Sequence, residues 1–346
     1  MSTPSRPSLV RHWLALAEEL VGRAAPRLDA LNLFPVPDAD TGTNMLATLT
    51  AARTAADACP AQDDAGAVLA HAGAAALDSA RGNSGMLLAV SLAGMAEPLR
   101  GRERVDAFAL AAAFGAADRA ARQALSDPRE GTILTVLSAA ARSLARSSTQ
   151  APDTPAVAGD ADPAVRLGPA VTLMLADCVQ AVEETESLLA PLTRAHVVDA
   201  GAVGLLWVFE ALRAVVTGTP VDEELATALP GYVEGAHAAE GEPAAAAEAP
   251  TEGAVEVMGT LALTPLAAAE LRRRLTDVGD AVILAPVGTA RDAQGRVPWR
   301  VHVHVPRAED AIGPLRAAGD VEGLAVTDLA EPSHGGDAAP DGCHGR

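Results

Sequence analysis

"FPVPDADTGTNM", residues 34–45, lies between stretches of helical spacing and carries two prolines, two aspartates and a Thr-Gly-Thr-Asn run. Pro35 and Pro37 fix φ at their own positions and push the residues before them into extended geometry. In an extended segment Asp38 and Asp40, at i and i+2, point to one side. Two carboxylates so placed suit a hard cation such as Mg²⁺, which takes few protein oxygens and leaves room for substrate phosphate. Gly42 permits a turn, Thr41 or Thr43 can cap, and the following helix offers unpaired N–H groups to an anion. The same residues also read as a surface loop whose Asp and Thr are turn and cap residues. The surrounding chain decides between the two.

On either side of this segment the sequence is helical. Leu9, Trp13, Leu16 and Leu20 share one face and predict a first helix over roughly 6–30. Ala-rich apolar stretches with helical spacing recur at about 44–57, 63–80, 84–98, 104–125, 131–146, 164–189 and 201–217. Roughly eight helices and no convincing strand precede residue 218, so an all-α domain is expected over 1–218. Residues 147–163 read as a mobile loop. Over 219–253 the Ala/Glu/Pro/Gly-rich composition predicts a flexible linker. Beyond it, "AVEVMGTLALT", "DAVILAPVG", "WRVHVHV" and "GLAVTDL" look like strands, interleaved with the helices "PLAAAELRRRLTDVG" and "AEDAIGPLRAAG". They predict a small α+β domain over 254–330 and a disordered tail over 331–346.

Composition removes several functions. Hydrophobic residues make up 49% of the 346, yet aromatics only 2%, so Ala and Leu carry the burial and favour helices. A formal net charge of −19 argues against nucleic acid as a partner, which needs a basic face. All 26 basic residues are arginine. Without lysine there is no P-loop lysine, no protein-kinase strand lysine and no Schiff base. Phosphate chemistry here would rest on metal, arginine and backbone amides. Cys59, Cys178 and Cys343 show no metal-binding or disulfide spacing. The N-terminus lacks a signal-peptide pattern, and no apolar run of about 18 residues is free of charge or Gly breaks. A cytoplasmic protein with no membrane-spanning segment is expected.

Three further segments repeat the theme of the first. "ARGNSGMLL" (80–88) places Gly82, Asn83, Ser84 and Gly85 before a helix, and "REGTILTVL" (129–137) does so with Gly131 and Thr132. "VVDAGAVGLL" (197–206) adds Asp199, Gly201 and Gly204. Each alone is most often only a cap. Together they suggest helix N-termini gathered round a polyanion.

In this order, "LNLFPVPDADTGTNM", "ARGNSGMLL", "EGTILTV" and "VVDAGAVGL" resemble the nucleotide-binding domain of fatty acid kinase catalytic subunits, a domain related to the L subunit of dihydroxyacetone kinases. The resemblance covers about residues 8–217. It implies an eight-helix antiparallel barrel binding ATP or ADP with two Mg²⁺ ions between carboxylates and phosphates. Asp38 and Asp40 would then be the catalytic metal ligands, with Thr41, Gly42, Thr43 and Asn44 near the phosphates. Asn83, Ser84 and Gly85 would meet phosphate, and Gly131, Thr132, Asp199 and Gly201 would close around the nucleotide. The dihydroxyacetone kinase pattern has a third aspartate upstream; the nearest polar residue here is Asn32, a neutral third ligand or a supporting donor.

The second domain is similar to the middle domain of the same subunits, where a cysteine and the two histidines of an HVH strand form a metal site. His302 and His304 match the histidines and share a strand face. Glu256 falls at the cysteine's place, which implies a His₂Glu site for Zn²⁺ or another divalent metal. An HxH pair also reads as two solvent-facing edge-strand residues. The resemblance implies a fatty-acid-binding partner subunit and allows a homodimer. This chain stops soon after the middle domain, which leaves the acceptor open. The expected activity is ATP-dependent phosphorylation of a fatty acid carboxylate. The alternatives are a kinase of small hydroxyl compounds and a protein that binds Mg-ATP without turnover.

Overall fold

The computed structural model describes residues 6–60, 64–102, 105–149, 163–232 and 254–329. The expected tail, most of the 147–163 loop and the 233–253 part of the expected linker lie outside the described residues.

The N-terminal region is helical throughout: α1 (Arg6–Leu31), α2 (Thr41–Ala58), α3 (Ala65–Ser79), α4 (Gly82–Gly94), α5 (Ala96–Leu99), α6 (Ala107–Ala124), α7 (Ile133–Thr149), α8 (Pro163–Leu188), α9 (Ala190–Ala195) and α10 (Ala200–Thr217). The long helices pack in sequence order, α1 on α2, α2 on α3, α3 on α4, α4 on α6, α6 on α7, α7 on α8 and α8 on α10. Helix α10 returns to α1, so the packing order closes on itself. The Trp13 indole N–H fixes that closure by donating to the Val208 carbonyl at 2.8 Å. Asp64, Asp106 and Asp199 start α3, α6 and α10 by accepting from the N–H three residues on.

Alanine fills much of the interior; Ala17, Ala52, Ala72, Ala113, Ala117 and Ala211 are fully buried. Small side chains let helix axes approach closely, so backbone contacts do the work that large side chains do elsewhere. Helix α10 is long and apolar enough to cross a membrane by composition alone, but 78% of that window is buried inside the protein, as a core helix requires. Residues 219–232, within the span read as linker, fold back onto this core. Ala226, Leu229 and Tyr232 are buried there, and the Tyr232 hydroxyl accepts from the Trp207 indole at 3.2 Å.

The second region runs β1 (Val255–Leu263), α11 (Pro265–Thr276), β2 (Asp280–Pro286), β3 (Val297–Val305), α12 (Ala308–Ala318) and β4 (Val321–Asp328). Its sheet has the order β2-β3-β1-β4 with antiparallel pairings, the β-α-β-β-α-β arrangement of ferredoxin-like domains. Alternation along the strands sorts the side chains. Val257, Leu261, Val282, Leu284, Val301 and Val303 pack with Leu271, Leu275 and Leu315 of α11 and α12.

The other face meets the helical region. Ile283 and Ala285 join the helical core, and Leu125 forms an isolated antiparallel bridge with Ile283. Ser126 N–H donates to the Val282 carbonyl at 3.0 Å. The Arg272 guanidinium spans the boundary, donating to the carbonyls of Gln123 and Leu284. This docking brings Glu256, His302 and His304 against the helix ends described next.

Candidate functional site

Asp38 and Asp40 share a cavity of about 40 Å³ with Asn32, Thr41, Asn44, Gly82, Asn83 and Ser84 from the helical region. Glu256, His304 and the end of β4 (Thr327 to Leu329) line its other side. By the volume one water requires, it has room on the order of three waters, the size of a hydrated ion or one phosphoryl group. Among the described residues that line it there are four carboxylates and no arginine.

The two aspartates are held tightly. The Asn32 amide donates to Asp38 Oδ1, which makes Asn32 a supporting donor to the carboxylate. Burial, and then the charge of Asp40, push the Asp38 carboxyl up to about 7. Burial also raises Asp40, against a hydrogen bond from Asn44, and the charges of Glu256 and Asp29 add to the rise. Negative charge has been collected here with no arginine among the described lining residues to match it. Asn83 Oδ1 is a further buried acceptor with no hydrogen-bond partner. Buried acceptor-only groups of this kind are what a divalent cation satisfies.

Asp29 is the residue that local spacing did not reveal. It sits in the last turns of α1 and accepts from Gly42 N at 2.6 Å, Thr43 N at 3.1 Å and the Thr43 hydroxyl at 2.8 Å. It therefore caps α2 from a neighbouring helix, and the amides of Gly42 and Thr43 are committed to it. Thr41 and Asn44, not Gly42 and Thr43, line the cavity. Asp29→Ala is expected to lower stability by about 1–2 kcal/mol in denaturant unfolding, with Asp29→Asn recovering part of the loss.

The four helix openings meet as a chain of contacts. Gly82 has φ +57, and a Cβ there would lie 2.6 Å from Asn44 Nδ2, so α4 begins directly against α2. A Cβ on Gly85 would sit 2.9 Å from Thr48 Oγ1. Gly201 lets α10 approach α4, since its Cβ would lie 2.7 Å from Ser84 Oγ. Asp199 joins α10 to α7: burial raises its carboxyl to about 7, while backbone N–H groups of Ala202, Ile133 and Gly201 oppose the rise. The Thr132 hydroxyl is used locally, donating to the Arg129 carbonyl and accepting from Leu134 N–H. Gly131, Thr132, Asp199 and Gly201 thus stand behind the cavity and do not line it. Glu130 braces this loop, paired with Arg122 at 2.7 Å and accepting from the Thr135 hydroxyl at 2.7 Å.

In the second domain, Glu256 on β1 stands directly opposite His304 on β3, with His302 two residues along. Cross-strand and i, i+2 neighbours on one face are close enough to share a ligand. The ligand atoms of Glu256, His302 and His304 all lie within 4.8 Å of one another. These histidines are not at a solvent-facing edge: His302 is 0% exposed, and β3 is an inner strand. His302 Nδ1 lies 2.9 Å from Glu256 Oε1 but without hydrogen-bond alignment, and neither ring nitrogen makes a hydrogen bond among the described residues. Burial, and then His302, hold His304 down to about 3, so it is neutral with a free lone pair. Burial works to raise Glu256, but His302, His304 and the Gly82 N–H outweigh it and hold the carboxyl at about 2. One carboxylate and two buried imidazoles within reach of one another form a donor set that fits a zinc-like cation.

The sequence matches the DAK2 domain family over residues 35–214, more than half of the chain. The protein belongs to that family. It is 33% identical over 211 residues to the protein YloV of Bacillus subtilis, covering 61% of this chain and 35% of YloV. To the uncharacterized protein SH1689 of Staphylococcus haemolyticus it is 32% identical over 198 residues, covering 57% and 33%. The chain spans about a third of the length of these relatives. Among solved structures, the dihydroxyacetone kinase from C. freundii in complex with AMP-PNP and Mg²⁺ is similar with a TM-score of 0.44 and 19% identity, covering 62% of this chain and 35% of that one.

Proposed function

We propose that this protein is an ATP-dependent phosphotransferase subunit whose acceptor is a fatty acid carboxylate presented by a separate lipid-binding protein. The observation that carries the reading is the cavity itself, where Asp38, Asp40 and the start of α4 converge with no arginine among the described lining residues. Membership of the DAK2 family and the order of the four motifs support it, and the closed packing order of the long helices supports the barrel. Asp38 and Asp40 would hold magnesium, two ions in this reading, with Asn32 keeping Asp38 in place. Bound magnesium would neutralise charge on the phosphates and leave the terminal phosphorus open to attack. The N-terminal amides of α4 would orient the phosphate oxygens. A carboxylate oxygen of the acceptor attacks the terminal phosphorus, the bond to the ADP oxygen breaks, and ADP leaves with the electron pair. The acceptor is already an anion at neutral pH, so no residue need remove a proton. Glu256, His302 and His304 would hold a second-domain metal.

A hydroxyl acceptor is the second reading. It would need a base, and the imidazole among the described lining residues, His304, is held down to about 3 by burial, which makes it a weak one. Incubation with Mg-ATP and lipid-loaded partner proteins, with hydroxylamine trapping, separates the readings. Acyl phosphate supports the first. A hydroxylamine-stable phosphate ester from a small hydroxyl compound supports the second. Tight nucleotide binding with transfer to neither contradicts both and leaves a nucleotide-binding regulator.

A further inference from the structure

The second domain reaches into the helical region's site at one point. Glu256 Oε1 accepts from the Gly82 N–H at 2.9 Å, across the boundary between the two regions. Gly82 is the first residue of α4, so this amide belongs to the set that a helix N-terminus presents to an anion. The same oxygen lies 2.9 Å from His302 Nδ1. One carboxylate is therefore shared between a phosphate-type cradle and a pair of buried imidazoles that make no aligned hydrogen bond through His302 or through His304 Nδ1.

The charge at this corner decides what the cradle accepts. Without a metal, Glu256 places a carboxylate on the Gly82 amide, and its charge is felt at Asp40. A phosphate chain approaching α4 meets Asp38, Asp40 and Glu256 together, with no arginine among the described lining residues. Magnesium at the aspartates offsets charge on that side of the cavity, while Glu256 stands at the other side, on the Gly82 amide. A divalent cation held by Glu256, His302 and His304 adds positive charge at that corner, beside the Gly82 amide. Glu256 also fixes the Gly82 turn, which has Asn44 on its other side. Loading the triad thus alters both the field and the rigidity of the phosphate cradle.

We propose that Glu256 couples the two sites: a divalent cation held by Glu256, His302 and His304 tightens the binding of Mg-nucleotide at α4, and nucleotide tightens the cation by the same factor. This rests on the assignment of both sites made above. Glu256 acts here as a positioning residue, through Gly82, in addition to ligating the metal. Equality of the two factors is a thermodynamic requirement of coupled equilibria, and such factors run from about 5- to 150-fold.

The test uses the full chain in excess Mg²⁺. A non-hydrolysable ATP analogue is titrated calorimetrically into metal-stripped protein and into protein loaded with one equivalent of Zn²⁺, with occupancy checked by elemental analysis. Zn²⁺ is then titrated with and without saturating analogue. The expected result is an affinity gain of at least about fivefold, equal in both directions. His302→Ala should bind analogue as the stripped wild type does, with no response to zinc. Glu256→Gln keeps an acceptor for Gly82 but drops the charge, so its stripped form should bind analogue more tightly than stripped wild type. A merely structural role for Glu256 predicts no such gain. Zinc and analogue that both bind without affecting one another would overturn the coupling and leave the site assignments standing. Failure of either to bind in any form overturns the assignments and the coupling with them.

Discussion

Asp38→Asn is expected to abolish magnesium-dependent nucleotide binding, with affinity falling by about 100-fold or more, the loss that follows when a buried ligand to a cation is removed. The substitution is nearly isosteric and retains one oxygen that can accept from Asn32. It also removes the repulsion that burial and Asp40 impose on Asp38. The apo protein should therefore unfold at the same denaturant concentration as wild type or a higher one. This opposition, weaker ligand binding with undiminished stability, marks a carboxylate kept for a ligand. If Asp38→Asn destabilised the fold and left nucleotide affinity unchanged, the carboxylate would be a structural group and the cation assignment would fail.

Gly42→Ala carries a large expected effect on the fold at the start of α2. A Cβ at this position would lie 2.5 Å from the Ala25 carbonyl oxygen and 2.6 Å from Ala25 Cα. Both are backbone atoms of α1, so no side-chain rotation relieves the contact, and α1 must separate from α2. Overpacking of this kind costs about 1–3 kcal/mol, occasionally more. For a domain of this size the melting temperature should fall by several degrees. The displaced helix start also pulls the Gly42 amide away from Asp29 and shifts Asp40 with it. Gly115→Ala in α6 is the comparison: its Cβ would meet only the Arg119 guanidinium at 3.4 Å. That change should be neutral or stabilise by about 0.5–1 kcal/mol, as alanine does within a helix. Equal melting temperatures for the two variants would show that the α1–α2 approach is softer than its geometry implies.

The helices were legible because their signals are local. Spacing of apolar residues placed α1, α8 and α10 within a residue or two of their ends. The start of α2 was read three residues late, at 44 instead of Thr41. Its first amides are satisfied by Asp29, a residue of another helix, and no cap motif in the adjoining sequence announces that. The stretch read as one helix over 84–98 divides near Met95 into α4 and α5. Residues 219–232 resembled a linker by composition, yet Tyr232 finds a place beside Trp207. Burial of that kind depends on a cavity formed by distant residues.

The candidate site shows the same boundary. Asp38, Asp40 and the α4 opening could be read because each motif states its own chemistry, and the HVH strand declared a shared face. Nothing in the sequence near Glu256 says that this face packs against Gly82, 174 residues away. That contact is set by the docking of β2 on Leu125 and Ser126, through backbone pairing that carries no side-chain signature. The motifs name two groups of candidate residues, and the fold makes them neighbours.

Anomalous diffraction from crystals of the full chain grown with Mn²⁺ and a non-hydrolysable ATP analogue tests the central claim most directly. Manganese peaks are expected at the Asp38 and Asp40 carboxylates, with the terminal phosphate between them and the N-terminus of α4. Nucleotide bound elsewhere on the protein, or bound there with no metal at either aspartate, would contradict that claim.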